Sequence, residues 1–125
     1  MNVKKILIIE DNQTISQLLG ETLQELGYEI DFAFNGKEGI DHLINHVPPD
    51  LILLDLFLPI MNGTEFRSRQ LQIPELANIP IVVMSGDSYV KQRCAPLHIK
   101  HFLKKPFEME DLIRVIESFR KRSLS

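Results

Sequence analysis

Three carboxylates, a hydroxyl and an amine stand out because each closes a short apolar run. Glu10 and Asp11 follow Ile6-Leu7-Ile8-Ile9, and Asp55 follows Leu51-Ile52-Leu53-Leu54. Ser85 follows Ile81-Val82-Val83-Met84, and Lys105 comes shortly after His101-Phe102-Leu103. Three carboxylates brought together need a counter-charge to stay ionised. Oxygen-only ligands with room for waters suit a hard cation, and Mg²⁺ takes one or two carboxylates plus phosphate oxygens. A carboxylate with a metal on one side and a lysine on the other is placed to attack phosphorus and form an aspartyl phosphate. The metal and Lys105 would neutralise charge on the transferring phosphoryl group, while Ser85 would donate a hydrogen bond to one of its oxygens.

The elements that must position these groups alternate along the chain. Ile6–Ile9 is apolar on both faces, as a central parallel strand is. Ile15, Leu18, Leu19, Leu23 and Leu26 follow with the spacing of one helix face, stopped at Gly27. Tyr28–Phe34 alternates as a second strand, Asn35-Gly36 is a turn signal, and Ile40, Leu43, Ile44 and Val47 mark a second helix ended by Pro48-Pro49. A third strand closes at Asp55, and a helical region runs from about Gly63 to Leu71. Pro80–Met84 is a β-branched fourth strand and His101–Leu103 a short fifth. Leu112, Val115, Ile116 and Phe119 mark a last helix, with Glu108, Glu110 and Asp111 near its start and Arg120, Lys121 and Arg122 at its end. Five strand–helix units predict an α/β fold, doubly wound, with a parallel five-stranded sheet covered by helices on both faces. Ligands of such sheets bind at the carboxyl ends of the strands, where the five polar groups would converge.

The bulk properties bound the function. A chain of 125 residues, 44% hydrophobic and 25% charged, suits one domain over 1–125. A net charge of −3 argues against a general nucleic-acid binder. One cysteine, Cys94, excludes an internal disulfide framework and fits a reducing, cytoplasmic setting. The apolar runs fall far short of the roughly 18 residues of a membrane span.

In these pieces the sequence resembles the receiver domains of two-component response regulators, chemotaxis receivers among them. They are Ile8-Ile9-Glu10-Asp11-Asn12, Asn35-Gly36, Asp55-Leu56-Phe57-Leu58-Pro59-Ile60-Met61-Asn62-Gly63, Ser85-Gly86 and Lys105-Pro106-Phe107. The resemblance spans Lys4 to about Arg122 and implies a flavodoxin-like (βα)₅ sheet of order 2-1-3-4-5. It implies that Asp55 takes a phosphoryl group from the phosphohistidine of a histidine kinase or histidine phosphotransferase. It further implies that Glu10, Asp11, Asp55 and the carbonyl of Phe57 hold Mg²⁺, and that Lys105, through a cis bond to Pro106, pairs with the phosphate. The family lysine directly precedes the proline, which selects Lys105 over Lys104. Ser85 and Phe102 resemble the switch pair that carries the signal to a downstream protein. Phe57 and Asp87, two residues beyond Asp55 and Ser85, flank the route of an attacking water. The domain is expected as a standalone regulator, a phosphorelay intermediate or the excised receiver of a larger protein, monomeric or weakly dimeric. The resemblance implies a switch rather than a turnover enzyme.

Each residue has a plainer reading by itself: Asp11-Asn12 a helix N-cap, Asp55 a strand-to-turn residue, Ser85-Gly86-Asp87 loop, Lys104-Lys105 a solvated pair. Their order at successive strand ends outweighs those readings. An adaptor acting by association alone would not need the acidic pair, Asp55 and Lys105. A phosphatase with an Asp nucleophile would carry a second Asp where Phe57 stands, and a flavin carrier a hydroxyl- and glycine-rich loop after the first strand. His42 and His46, four residues apart, have nothing beside them to mark a zinc site.

The segment from Tyr89 to Lys100 departs from the family. It lacks a clear apolar stripe, Pro96 interrupts it, and His98-Ile99-Lys100-His101 replaces the usual small residues. A short, mobile or distorted fourth helix is predicted. Amide hydrogen exchange over Tyr89–Cys94 should accordingly be fast, and strong protection there would overturn the expectation.

Overall fold

Aliphatic runs with no polar face can only be placed between two layers, and the central strands are built from them. In the computed structural model, which describes residues 3–123 and the side chains of residues 3–119, β1 (Lys5–Ile9), β3 (Leu51–Asp55) and β4 (Ile81–Ser85) lie side by side. The edges are β2 (Glu29–Ala33) and β5 (His101–Lys104). All pairings are parallel and the order is β2-β1-β3-β4-β5. The helices are α1 (Gln13–Glu25), α2 (Gly36–Asn45), α3 (Gly63–Gln72), α4 (Val90–Cys94) and α5 (Met109–Ser123), with a 3₁₀ turn at Ala95–Leu97.

Alternate residues of the central strands feed two cores. Leu7, Ile9, Ile52, Leu54 and Val83 pack with Leu43, Phe66, Cys94 and Leu97 on one face. Ile6, Ile8, Leu51, Leu53, Val82 and Met84 pack with Leu23, Leu112 and Ile116 on the other. The strand order reverses direction between β1 and β3, which opens a crevice at their carboxyl ends. Asn12, Asn35 and Asn62 each cap the helix that leaves this edge, their side-chain oxygens accepting the N–H groups of Ile15, Glu38 and Glu65 at 3.0, 2.8 and 2.9 Å.

Several details differ from the periodicity reading. Leu18, Leu26 and Ile44 face outward, and Val47 lies beyond the end of α2, because Ser16, Gly20, Gly36 and Gly39 take up buried positions on α1 and α2. β2 is an edge strand, so Phe32 and Phe34 stay partly in solvent. Asn35-Gly36 is a helix start rather than a free turn. The fourth helix is short, as expected, yet Val90, Cys94, Leu97 and Ile99 are all buried. Burial also pushes the Cys94 thiol pKa up. The side chains of Arg120, Lys121 and Arg122 lie outside the described residues.

A polar brace behind α3 has no trace in the hydrophobic pattern. Buried Arg67 donates from Nε to the Leu97 carbonyl (3.0 Å), from Nη1 to Gln70 Oε1 (2.8 Å) and from Nη2 to the His98 carbonyl (3.4 Å). Gln70 in turn donates to the carbonyls of Leu76 and Ile79. The brace ties the 3₁₀ turn and the loop before β4 to α3.

The start of α3 is pressed against the end of β3. The Gly63 N–H donates to the Leu56 carbonyl at 2.8 Å, and a Cβ at Gly63 would meet the Asp55 carbonyl oxygen and the Leu56 Cα at 2.7 Å. Both neighbours are backbone and cannot rotate away. Gly63→Ala is therefore expected to cost about 1–3 kcal/mol, read as a lower urea midpoint at unchanged slope; an unchanged midpoint would show that the contact relaxes freely.

Candidate functional site at the carboxyl edge of the sheet

Glu10 is the residue after β1, and its N–H is held by the Ala33 carbonyl of the neighbouring strand at 3.1 Å. Its side chain is 1% exposed and Asp55 is 8% exposed, burial that an ionised carboxylate tolerates only with charged or donor partners. Asp55 Oδ1 accepts the Phe57 N–H at 3.0 Å, and Glu10 Oε2 accepts the Asn12 N–H at 3.3 Å. Lys105 Nζ closes the group, 2.5 Å from Glu10 Oε1 and 3.3 Å from Asp55 Oδ2.

Glu10, Asp11 and Asp55 each place a carboxylate oxygen within 4.8 Å of the others, the one such cluster of possible metal ligands among the described residues. Three carboxylates against one ammonium leave an excess of negative charge at a partly open edge. An all-oxygen donor set, with Asp11 exposed to water, fits a hard divalent cation that retains waters. Burial disfavours the charge of Lys105, but the hydrogen bond it donates to Glu10 and the charges of Asp55 and Glu10 outweigh it. The ammonium pKa is held above the ordinary lysine value. Lys105 is therefore charged throughout the neutral range.

Ser85 is fully buried at the end of β4. Its Oγ accepts the Asp87 N–H at 3.1 Å and its carbonyl accepts the Lys105 N–H at 2.7 Å, so the serine and the lysine are fixed to one another through the main chain. The Lys105–Pro106 peptide is cis. Lys104, by contrast, is the exposed last residue of β5. Phe57 reaches the cluster through its N–H, while its ring is 55% exposed. Phe102 stands apart, half-buried against the core on the α2–α4 side.

One contributor had no signal in the sequence. Arg93 on α4 pairs with the Asp87 carboxylate, and its guanidinium lies 5.5 Å from the centre of the Phe57 ring. The Asp87 carboxyl, whose Oδ1 accepts the Tyr89 N–H, is held below its usual range first by that bond and then by Arg93. The histidine pair behaves otherwise: His42 and His46 stack at 4.4 Å, and His42 faces Asp31. Burial pushes the His42 pKa down, against the pull of Asp31. No helix among the described residues is long and apolar enough to cross a membrane.

Comparison with known proteins agrees with this fold. Residues 6–117 match the profile of the response regulator receiver domain. The response regulator ArlR of Staphylococcus saprophyticus is 33% identical over 118 residues, covering 94% of this chain and 53% of ArlR. The chain thus spans about half the length of the curated relatives it matches. Among solved structures, the Vibrio cholerae chemotaxis protein CheY4 superposes with a TM-score of 0.84 at 27% identity, over 93% of this chain and 98% of CheY4. The Mn²⁺-bound response regulator Rcp1 does so with 0.76 at 30% identity, over 92% and 90%.

Because the carboxylates exceed their counter-charge, a divalent cation should bind the folded chain and raise its stability by mass action. Millimolar Mg²⁺ is expected to raise the thermal midpoint. Asp11→Asn, at an exposed position, should leave the metal-free midpoint nearly unchanged and remove most of the Mg²⁺-dependent rise. A rise that survives in Asp11→Asn would place the cation elsewhere.

Proposed function

The chain belongs to the response regulator receiver domain family, and from that membership we propose that it is a phosphorylation-dependent signalling switch with Asp55 as phosphoacceptor. The observation that carries the reading is the Asp55 carboxylate lying 3.3 Å from Lys105 and within 4.8 Å of Glu10 and Asp11. Glu10, Asp11 and Asp55 would hold Mg²⁺, joined by the Phe57 carbonyl as in the family resemblance. When bound, the ion supplies positive charge to the phosphoryl oxygens.

The residues divide the remaining work. The Phe57 N–H fixes one oxygen of Asp55. An Asp55 oxygen attacks the phosphorus of a phosphohistidine as the P–N bond breaks, and the departing imidazole nitrogen takes a proton from solvent. Lys105, charged at neutral pH, follows the negative charge from the carboxylate onto the phosphoryl oxygens. Glu10 keeps the lysine at the edge during that transfer. Ser85 donates its hydroxyl to a phosphoryl oxygen, and Phe102 on the adjacent strand repacks with it. A small loss of free energy in one of two packings is enough to shift their populations.

The phosphodonor is a histidine kinase or histidine phosphotransferase, and the reader is a downstream protein rather than nucleic acid. The domain works in the cytoplasm, as a standalone regulator, a phosphorelay intermediate or the receiver of a larger regulator. It promotes its own phosphorylation and dephosphorylation without being a turnover enzyme.

Incubation with acetyl phosphate and Mg²⁺, followed by intact mass, tests the reading. One phosphoryl adduct is expected, lost in Asp55→Asn and lost on chelation of the metal. No adduct with or without Mg²⁺ would favour an adaptor that acts by association alone.

A further inference from the structure

Resting on the reading of Asp55 as phosphoacceptor, we infer that Arg93 is a positioning residue that clasps the outer face of the site and prolongs the life of the phosphoryl group. Two loops border that face. One leaves β3, and its Phe57 N–H holds Asp55 Oδ1; the other leaves β4, and its Asp87 N–H holds Ser85 Oγ. Arg93 reaches both at once, pairing with the Asp87 carboxylate and lying over the Phe57 ring, 5.5 Å from its centre. It comes from neither loop but from α4, whose Val90 and Cys94 anchor it in the core.

Hydrolysis of an aspartyl phosphate forms a bond from water oxygen to phosphorus and breaks the bond from phosphorus to the Asp55 oxygen. The products are inorganic phosphate and the free carboxylate, and the proton from water goes to solvent or to a nearby base. Arg93 opposes this in two ways. Its stack holds the Phe57 ring in place at the rim. It also occupies Asp87 Oδ2, while Tyr89 N–H occupies Oδ1, so the Asp87 carboxylate is engaged and does not orient the incoming water. Removal of Arg93 frees both the ring and the carboxylate, and the two effects act in the same direction.

The test compares the 125-residue chain with its Arg93→Ala, Arg93→Lys and Arg93→Ala/Asp87→Asn variants. Each is loaded with acetyl phosphate and Mg²⁺, freed of donor, and followed by intact mass as the adduct decays. Arg93→Ala is expected to shorten the half-life about fivefold, the effect of losing one exposed ion pair and one exposed cation–π contact. Arg93→Lys keeps the charge without the broad guanidinium over the ring and should fall between the two. Adding Asp87→Asn to Arg93→Ala should recover part of the lifetime, and the thermal midpoints of all four proteins should agree closely. A purely structural role would lower the midpoint without that order of lifetimes. Adducts of equal lifetime in wild type, Arg93→Ala and Arg93→Lys overturn the clasp while leaving the phosphoacceptor reading intact. A wild-type chain that takes no phosphoryl group overturns both.

Discussion

The Lys105 ammonium, held between Glu10 and Asp55, is the interaction on which the carboxyl edge of the sheet depends. Two carboxylates this buried and this close would otherwise repel one another across a medium that screens weakly. The lysine comes from beyond β5, whereas the acids come from β1 and β3, so the ion group spans the sheet from its centre to its edge. It exists only when all the intervening pairings are in register. The main-chain bond from Lys105 N–H to the Ser85 carbonyl fixes the last of those registers at the point of use. Fold and site are thus one construction: the sheet brings the charges together, and the charges hold the sheet's carboxyl edge.

Behind that edge the two faces of the sheet are treated differently. The α1 and α5 face is closed by apolar packing, with Leu23, Leu112 and Ile116 against the strands. The α3 and α4 face combines aliphatic packing with the Arg67–Gln70 brace, which spends a buried guanidinium on three carbonyl and amide acceptors. Burial lowers the Arg67 pKa, the sign of a charge held by geometry rather than by a counter-ion. Carbonyls at the end of a short 3₁₀ turn would otherwise lack partners. The brace therefore lets a five-residue α4 stand where hydrophobic contact from a longer helix would usually suffice.

Much of this was legible in the sequence, and the reasons are physical. Uninterrupted aliphatic runs such as Leu51–Leu54 have one stable environment, and the polar residue ending each run marks the sheet edge. Asp55 could be singled out for that reason, whereas Lys105 stood out only by its place before Pro106, since Lys104 is the residue that closes β5. Periodicity misled where small residues lie in the interface. Leu18 and Leu26 face water because Ser16 and Gly20 let α1 approach β2, with Phe32 lying over Gly20. Arg67, Gln70 and Arg93 were invisible because a buried or bridging polar side chain leaves no periodic mark; its partners are carbonyls and rings far away in sequence.

The seating of Gly63 on the Asp55 main chain has a consequence for where motion can arise. On the α3 side β3 ends against backbone atoms with no slack between them. A displacement of Asp55 toward α3 would have to drive a whole helix, with Phe66 at its core contact, through close-packed surroundings. On the other side, β4 leads into Gly86, an exposed residue where an added Cβ would meet nothing within 4 Å, and then into the shortest helix of the fold. One side is an anvil of backbone on backbone, and the other has open space at a single glycine. Resistance to any displacement of Asp55 is therefore greatest toward α3, and the room the fold leaves lies on the opposite side, beyond β4 at Gly86.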